Sequence, residues 1–228
     1  MKNNIKNKKL KKRIMFFSAH PDDELAGAGG FILKTLKDKG VVSLVLCIDP
    51  SEPRVNISSK IEKETRLKEF KKLAKSIGAQ SSFLNFSHYP ILSYETILPC
   101  VKEIRSFKPE VIIIIQEMDY HTEHQMIAKI IKRAVWHAGR SAFPEYGKPH
   151  KVQALWESEG DRPINEPNHF EDITEVSLKK KSLFSIYGSQ QARKDLASAA
   201  LGINAFRGIM YKKGRFAEAF KVSEFFYG

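Results

Sequence analysis

Val111-Ile112-Ile113-Ile114-Ile115 is an unbroken β-branched run. A strand apolar on both faces belongs at the centre of a parallel sheet covered by helices on both sides. Ile14–Phe17, Val41–Ile48, Phe83–Phe86 and Val152–Trp156 read as further strands. Amphipathic stretches separate them: Phe31–Leu36, a helix from Ser58 or Ser59 to Ile77, Ile91–Phe107 and Gln125–His137. In the second of these, Leu67, Phe70, Leu73, Ala74 and Ile77 share one face, Ser58 or Ser59 offers a cap, and Gly78 ends it. Pro99 sits near the middle of the third, in conflict with a helix there. Residues 139–149 read as loop, and 157–171, with Pro163 and Pro167, as an irregular segment expected to frame a substrate mouth. Another helix is expected from Asp172, its cap, to about Tyr187. Strands alternating with helices predict an α/β chain with a Rossmann-like, doubly wound, mostly parallel sheet and helices on both faces.

Length and composition limit the function classes. The 228 residues fit one domain, and 42% hydrophobic with 28% charged residues is the balance of a soluble globular protein. No apolar run reaches membrane-helix length, and the N-terminus lacks a signal-peptide core. Cys47 and Cys100 make no metal or redox spacing, so a reduced, cytoplasmic protein is expected. The net charge of +12 invites a nucleic-acid reading, yet seven of those charges fall within residues 1–13, where there is no acid. Residues 1–12 therefore read as a basic, disordered, solvated tail and 13–228 as the single domain, with no nucleic-acid partner expected. Ile5 and Leu10 are too few anchors for a membrane helix, which leaves at most weak peripheral contact through the tail. The sequence has no internal repeat.

Two polar clusters follow strands, where open α/β sheets place their sites. The first is Ser18-Ala19-His20-Pro21-Asp22-Asp23-Glu24, leading into Leu25-Ala26-Gly27-Ala28-Gly29-Gly30. His20 and Asp23 can hold a divalent metal while Asp22 stays free as a base, and Pro21 stiffens the loop. The glycines do not form a dinucleotide loop: Ile32 stands where a third glycine belongs, and three acids there would repel a pyrophosphate. The second cluster, Asp119-Tyr120-His121-Thr122-Glu123-His124, follows the central strand and places His121 and His124 three apart at a helix start. Taken singly, each cluster also suits a solvated loop, and Arg66 with Glu69 suits a surface ion pair. His88, His137, His150 and His169 have no partner in the sequence and read as surface or hydrogen-bonded histidines.

The string Ala19-His20-Pro21-Asp22-Asp23-Glu24 followed by G-x-G-G resembles the signature of the PIG-L/LmbE-like family of metal-dependent N-acetylglucosaminide deacetylases. Further likeness runs from about residue 12 to 222. It includes Arg66-x-x-Glu69, the His121–His124 cluster, Asp172-Ile173-Thr174-Glu175, Gly188-Ser189-Gln190 and Arg215–Phe220. The resemblance implies a zinc ion, with iron(II) as the alternative, bound by His20, Asp23 and His124. It implies Asp22 as the base that later protonates the leaving amine, and a protonated His121, just outside the metal shell, as oxyanion stabiliser. Arg66 would hold hydroxyl or phosphate groups of an N-acetyl amino-sugar conjugate, which is cleaved to acetate and a free amine. Family members carry H-x-D-H at the second cluster; Glu123 replaces that Asp and is expected to orient a ligand histidine. Members are often homo-oligomers, although this sequence carries no interface signal. Three rival readings stand beside this one. They are a non-haem iron(II) enzyme using two histidines and a carboxylate, a non-catalytic binding protein of the same fold, and, more weakly, a metal-dependent phosphoesterase.

Overall fold

A computed structural model describes residues 12–51, 59–191 and 194–224. The basic stretch 1–11 and Ser58 lie outside the described residues; Lys12 packs its ammonium over the Phe31 ring, 4.4 Å from the centroid, as part of the domain. Seven strands form one sheet: β1 (Arg13–Ser18), β2 (Val41–Ile48), β3 (Gln80–Phe86), β4 (Val111–Ile115), β5 (Ala154–Ser158), β6 (His169–Asp172) and β7 (Ala217–Glu224), in the order β3-β2-β1-β4-β5-β7-β6. The first five are parallel, and β7 runs antiparallel to both β5 and β6. β1 pairs with β2 on one side and β4 on the other, so strand order reverses between β1 and β4. That switch point opens a crevice at the strands' carboxyl ends.

Helices α1 (Asp23–Lys37) and α2 (Ser59–Ile77) cross one face, and α3 (Tyr94–Phe107) and α4 (Thr122–Ala138) cross the other. The β-branched run sorts by alternation: Ile112 and Ile114 pack toward α3 and α4, and Ile113 and Ile115 toward α1 and α2. Among the described residues no helix is long and apolar enough to cross a membrane.

Several predicted boundaries shift. β3 begins at Gln80, because its first residues pair with Ser43 and Leu44 although they are polar and exposed. α3 begins at Tyr94, where Thr96 Oγ1 accepts the Ser93 N–H at 3.2 Å, and leaves Ile91 and Leu92 exposed in the preceding loop. The helix continues through Pro99; the one bond given up is that to the carbonyl of Glu95, an exposed residue. Residues 174–186 form a 3-10 turn, α5 (Ser177–Leu183) and a second 3-10 turn instead of one helix. Short α6 (Gly188–Gln191) and α7 (Leu196–Met210) follow. β6 and β7 were not expected as strands: β6 is short and only partly buried, and β7 reads equally as core.

The C-terminal strand repairs a defect in α1. Ala28, with φ −147°, breaks the helix between Gly27 and Gly29, and the N–H groups of Gly30 and Phe31 donate to the Glu218 carboxylate of β7 at 2.7 and 2.8 Å. Lys180 of α5, wholly buried, donates to Glu218 at 2.8 Å, to Asn204 Oδ1 at 2.8 Å and to the Ala26 carbonyl at 3.1 Å. Every charge in this buried group is paired and hydrogen-bonded, as burial demands. The resulting bend lets α1 pass close to β5: a Cβ on Gly27 would stand 2.5 Å from Ser158 Oγ.

Candidate metal centre

Asp22 caps α1 with a left-handed backbone, φ 100°, a conformation that costs a non-glycine residue about 1–2 kcal/mol. Its carbonyl starts the helix by accepting from Leu25 and Ala26 N–H, both at 3.0 Å, but its side chain makes no cap bond. Among the described residues the carboxylate accepts no hydrogen bond, and it lines the cleft beside His20, Asp23, Arg66, His121 and His124. Burial, and then the charges of Asp23 and Glu24, push the Asp22 pKa well up against the opposing pull of Arg66 and His124. Beneath it, buried Glu24 accepts from Ser18 Oγ at 3.0 Å and from the Tyr187 hydroxyl; burial lifts its pKa to about 7 despite the Tyr187 bond.

The two polar clusters meet across the β1–β4 switch point, and three side chains converge with one donor atom each. Asp23 Oδ2 accepts the His20 N–H at 2.8 Å, leaving Oδ1. His124 Nδ1 is held by Asp119 Oδ1 at 2.9 Å, leaving Nε2. His20 Nε2 is held by Glu123 Oε2 at 2.6 Å, leaving Nδ1. Two of these atoms lie close to the third: His20 Nδ1 is 3.3 Å and Asp23 Oδ1 3.2 Å from His124 Nε2. Donors about 2.05 Å from a tetrahedral cation stand roughly 3.3 Å apart, so both separations fit one divalent ion. Burial alone would lower the His124 pKa, but Asp23 and Asp119 outweigh it and raise the value to about 10. Acids that draw a proton so strongly draw a cation for the same Coulombic reason.

His121 caps α4. Its Nδ1 accepts the Glu123 N–H at 3.3 Å, which assigns the proton of the neutral ring to Nε2. Burial, with the His20 and His124 charges, lowers its pKa, which favours the neutral ring over the protonated one that the resemblance implies. His20, His121 and His124 bring ring nitrogens within 4.8 Å of one another, and with its Nδ1 taken by the Glu123 N–H and its proton on Nε2 the His121 ring faces the site as a donor.

Glu123 uses its longer arm to span the site: beyond His20, its Oε1 accepts the Tyr89 N–H at 3.0 Å and bonds His88 Nδ1 at 3.1 Å. Burial disfavours its charge, but the bond to His20 and the others outweigh that and bring its pKa down to about 2. Arg66 is buried and donates to the Pro50 carbonyl at 3.0 Å while lining the cleft; Glu69 accepts from Ser189 N–H at 2.9 Å and Oγ at 2.6 Å, tying α6 to α2.

Asp119 and His88 carry no role in the sequence reading. Asp119 opens the second polar cluster directly after β4, which was the available signal; it also accepts the N–H groups of His121 (2.9 Å) and Arg162 (3.0 Å). His88 lies 35 residues from Glu123, and no sequence spacing connects them.

Residues 15–135 match the family described as PIG-L: GlcNAc-PI de-N-acetylase, more than half of the chain. Among solved structures, the chain is similar to the 4-carboxy-2-hydroxymuconate hydratase of Pseudomonas putida, at 20% identity and a TM-score of 0.84, covering 95% of this chain and 98% of that one. It is similar to a conserved protein of Thermus thermophilus, at 21% identity and a TM-score of 0.80, covering 94% and 96%. It is also similar to the N,N'-diacetylchitobiose deacetylase of Pyrococcus horikoshii, at 20% identity and a TM-score of 0.82, covering 93% and 84%. At these identities the likeness is one of fold.

Proposed function

The chain belongs to the PIG-L family of GlcNAc-PI de-N-acetylases, and from that premise we propose that it is a metal-dependent hydrolase removing the N-acetyl group from an N-acetylglucosamine-type conjugate. One observation carries this reading: His20, Asp23 and His124 each have one donor atom fixed by a neighbour, the other atoms of His20 and Asp23 lie within 3.3 Å of His124 Nε2, and the Asp22 carboxylate lines the same cleft.

A zinc ion held there, or iron(II) in its place, supplies a Lewis acid and a water acidified from about 15.7 toward neutrality. Asp22, its pKa raised by burial, takes the proton of the attacking water and returns it to the leaving amine. His121 donates its Nε2–H to the developing oxyanion as a neutral imidazole. Arg66, buried and anchored on Pro50, orients hydroxyl or anionic groups of the sugar conjugate. Asp119 and Glu123 hold the two ligand histidines in the ring orientation the metal requires.

The test is acetate release by zinc-loaded protein across a panel of N-acetylglucosaminides. Asp22→Ala is expected to abolish turnover, a loss of about 10²–10⁴-fold, while keeping its metal. Asp23→Ala is expected to lose both metal and turnover. A wild-type chain that binds no divalent metal overturns the reading.

A further inference from the structure

The cleft has two arms that share Asp22, Asp23, His124, Asp161 and Leu196 and differ in the rest of their lining. One is polar: Arg66 lines it, as does Gln190, whose buried Nε2 donor has no partner among the described residues. The other is a cavity of about 270 Å³ walled by Gly27, Ile115, Pro163, Leu196, Ala199 and Ile203. Of the polar side chains that border it, Asp161 is an exposed carboxylate shared with the polar arm, while Glu159 and Asn204 are already committed. Glu159 accepts from Arg207 Nε at 3.1 Å and Ile164 N–H at 3.0 Å, and Asn204 Oδ1 accepts from Lys180 at 2.8 Å. A water takes about 30 Å³ of liquid volume, so this space far exceeds one acetyl methyl.

We infer that the apolar arm is the acyl pocket and that it selects amides of linear aliphatic acids longer than acetate. This rests on the amide-hydrolase reading above and extends its substrate class from N-acetyl to longer N-acyl groups. An amide at the metal presents a sugar on one side and an acyl group on the other. The hydroxyls of the sugar need polar partners such as the unmet Gln190 donor, which leaves the arm walled mainly by apolar side chains to the acyl chain. Leu196, Ala199 and Ile203 lie on one face of α7, and Phe206 and Met210, both exposed, continue that face outward at the same spacing.

The experiment compares kcat/KM of the zinc-loaded enzyme on the methyl glycosides of N-acetyl- and N-butyrylglucosamine, and on the butyl glycoside of N-acetylglucosamine. Two added methylenes entering the apolar arm are expected to favour the butyryl amide by about 15-fold, with no comparable gain from the butyl aglycone. Ala199→Phe, which fills the arm, is expected to bring the butyryl-to-acetyl ratio below one; a ratio measured on one preparation cancels any loss of folded protein. Acetate release with a wild-type ratio at or below one overturns the acyl-pocket assignment and leaves the deacetylase reading standing. A gain that follows the butyl aglycone instead overturns it too, by giving the arm to the aglycone. Release of neither carboxylate from any of the three overturns both.

Discussion

In the proposed metal centre, affinity for the ion depends on Asp119, which does not itself line the cleft. Its Oδ1 fixes His124 Nδ1 at 2.9 Å, which directs Nε2 at the ion and excludes the tautomer with a proton on Nε2, the one that cannot ligate. Asp119→Ala frees the ring and lets both tautomers populate. The loss of such an orienting group typically costs 10- to 100-fold in metal affinity, about 1.4–2.7 kcal/mol. The same change removes the acceptor of the His121 and Arg162 N–H groups, and leaving them unpaired costs about 1–3 kcal/mol of folding stability. Asp119→Asn separates the two effects. With its amide oxygen turned to His121 and His124 it keeps the tautomer, and its NH₂ then faces the Arg162 N–H, so only the 160–162 segment is disturbed. Zinc affinity by chelator competition at fixed pH, with melting temperature alongside, is expected to rank wild type, then Asn close behind, then Ala at least tenfold weaker. An Ala variant binding zinc within twofold of wild type would refute the orienting role.

Two further predictions concern the frame that carries the site. Lys180→Met leaves buried Glu218 with two backbone donors and no cation, and is expected to lower the unfolding free energy by about 3–5 kcal/mol in denaturant titrations. A loss under 1 kcal/mol would show that the pair does not hold the bend of α1. In the metal-free protein, Glu24 (about 7 folded against 4.5) and His124 (about 10 against 6.5) both have raised folded pKa values. Their stabilisation is complete below the unfolded values and lost as pH rises through the folded ones, so melting temperature is expected to fall from pH 5 to pH 9. Glu24→Gln should flatten the part of that fall between pH 4.5 and 7, and a melting temperature constant over the whole range would sink the assignment.

Much of the architecture was legible because one physical signal dominates it. Five consecutive β-branched residues at 111–115 leave few solutions other than a buried central strand, and the segments alternating with it generate the doubly wound sheet. Edges were harder to read. Gln80 to Ser82 belong to β3 by backbone pairing while their side chains face solvent or lie only half-buried, and Pro99 lies in a helix whose other bonds outweigh its missing donor. Glu218 reads as one residue of a strand; that its carboxylate caps two helical N–H groups 187 and 188 residues away has no trace in local pattern.

The same division holds at the site. The sequence by itself determined the chemical inventory, two clusters of histidines and acids each placed just after a strand, because strand, loop and helix signals are local and the loop residue types are explicit. Tertiary structure decided how that inventory is arranged: which atom of each ring a neighbour holds, that His121 Nδ1 accepts the Glu123 N–H, and that Glu123 and Asp119 bond His20 and His124 while His88 bonds Glu123. It also decided that an apolar arm opens beside the acids. These depend on contacts across the β1–β4 switch point and between α1, β5 and α7, brought about by sheet order and helix packing, and no spacing along the chain encodes them.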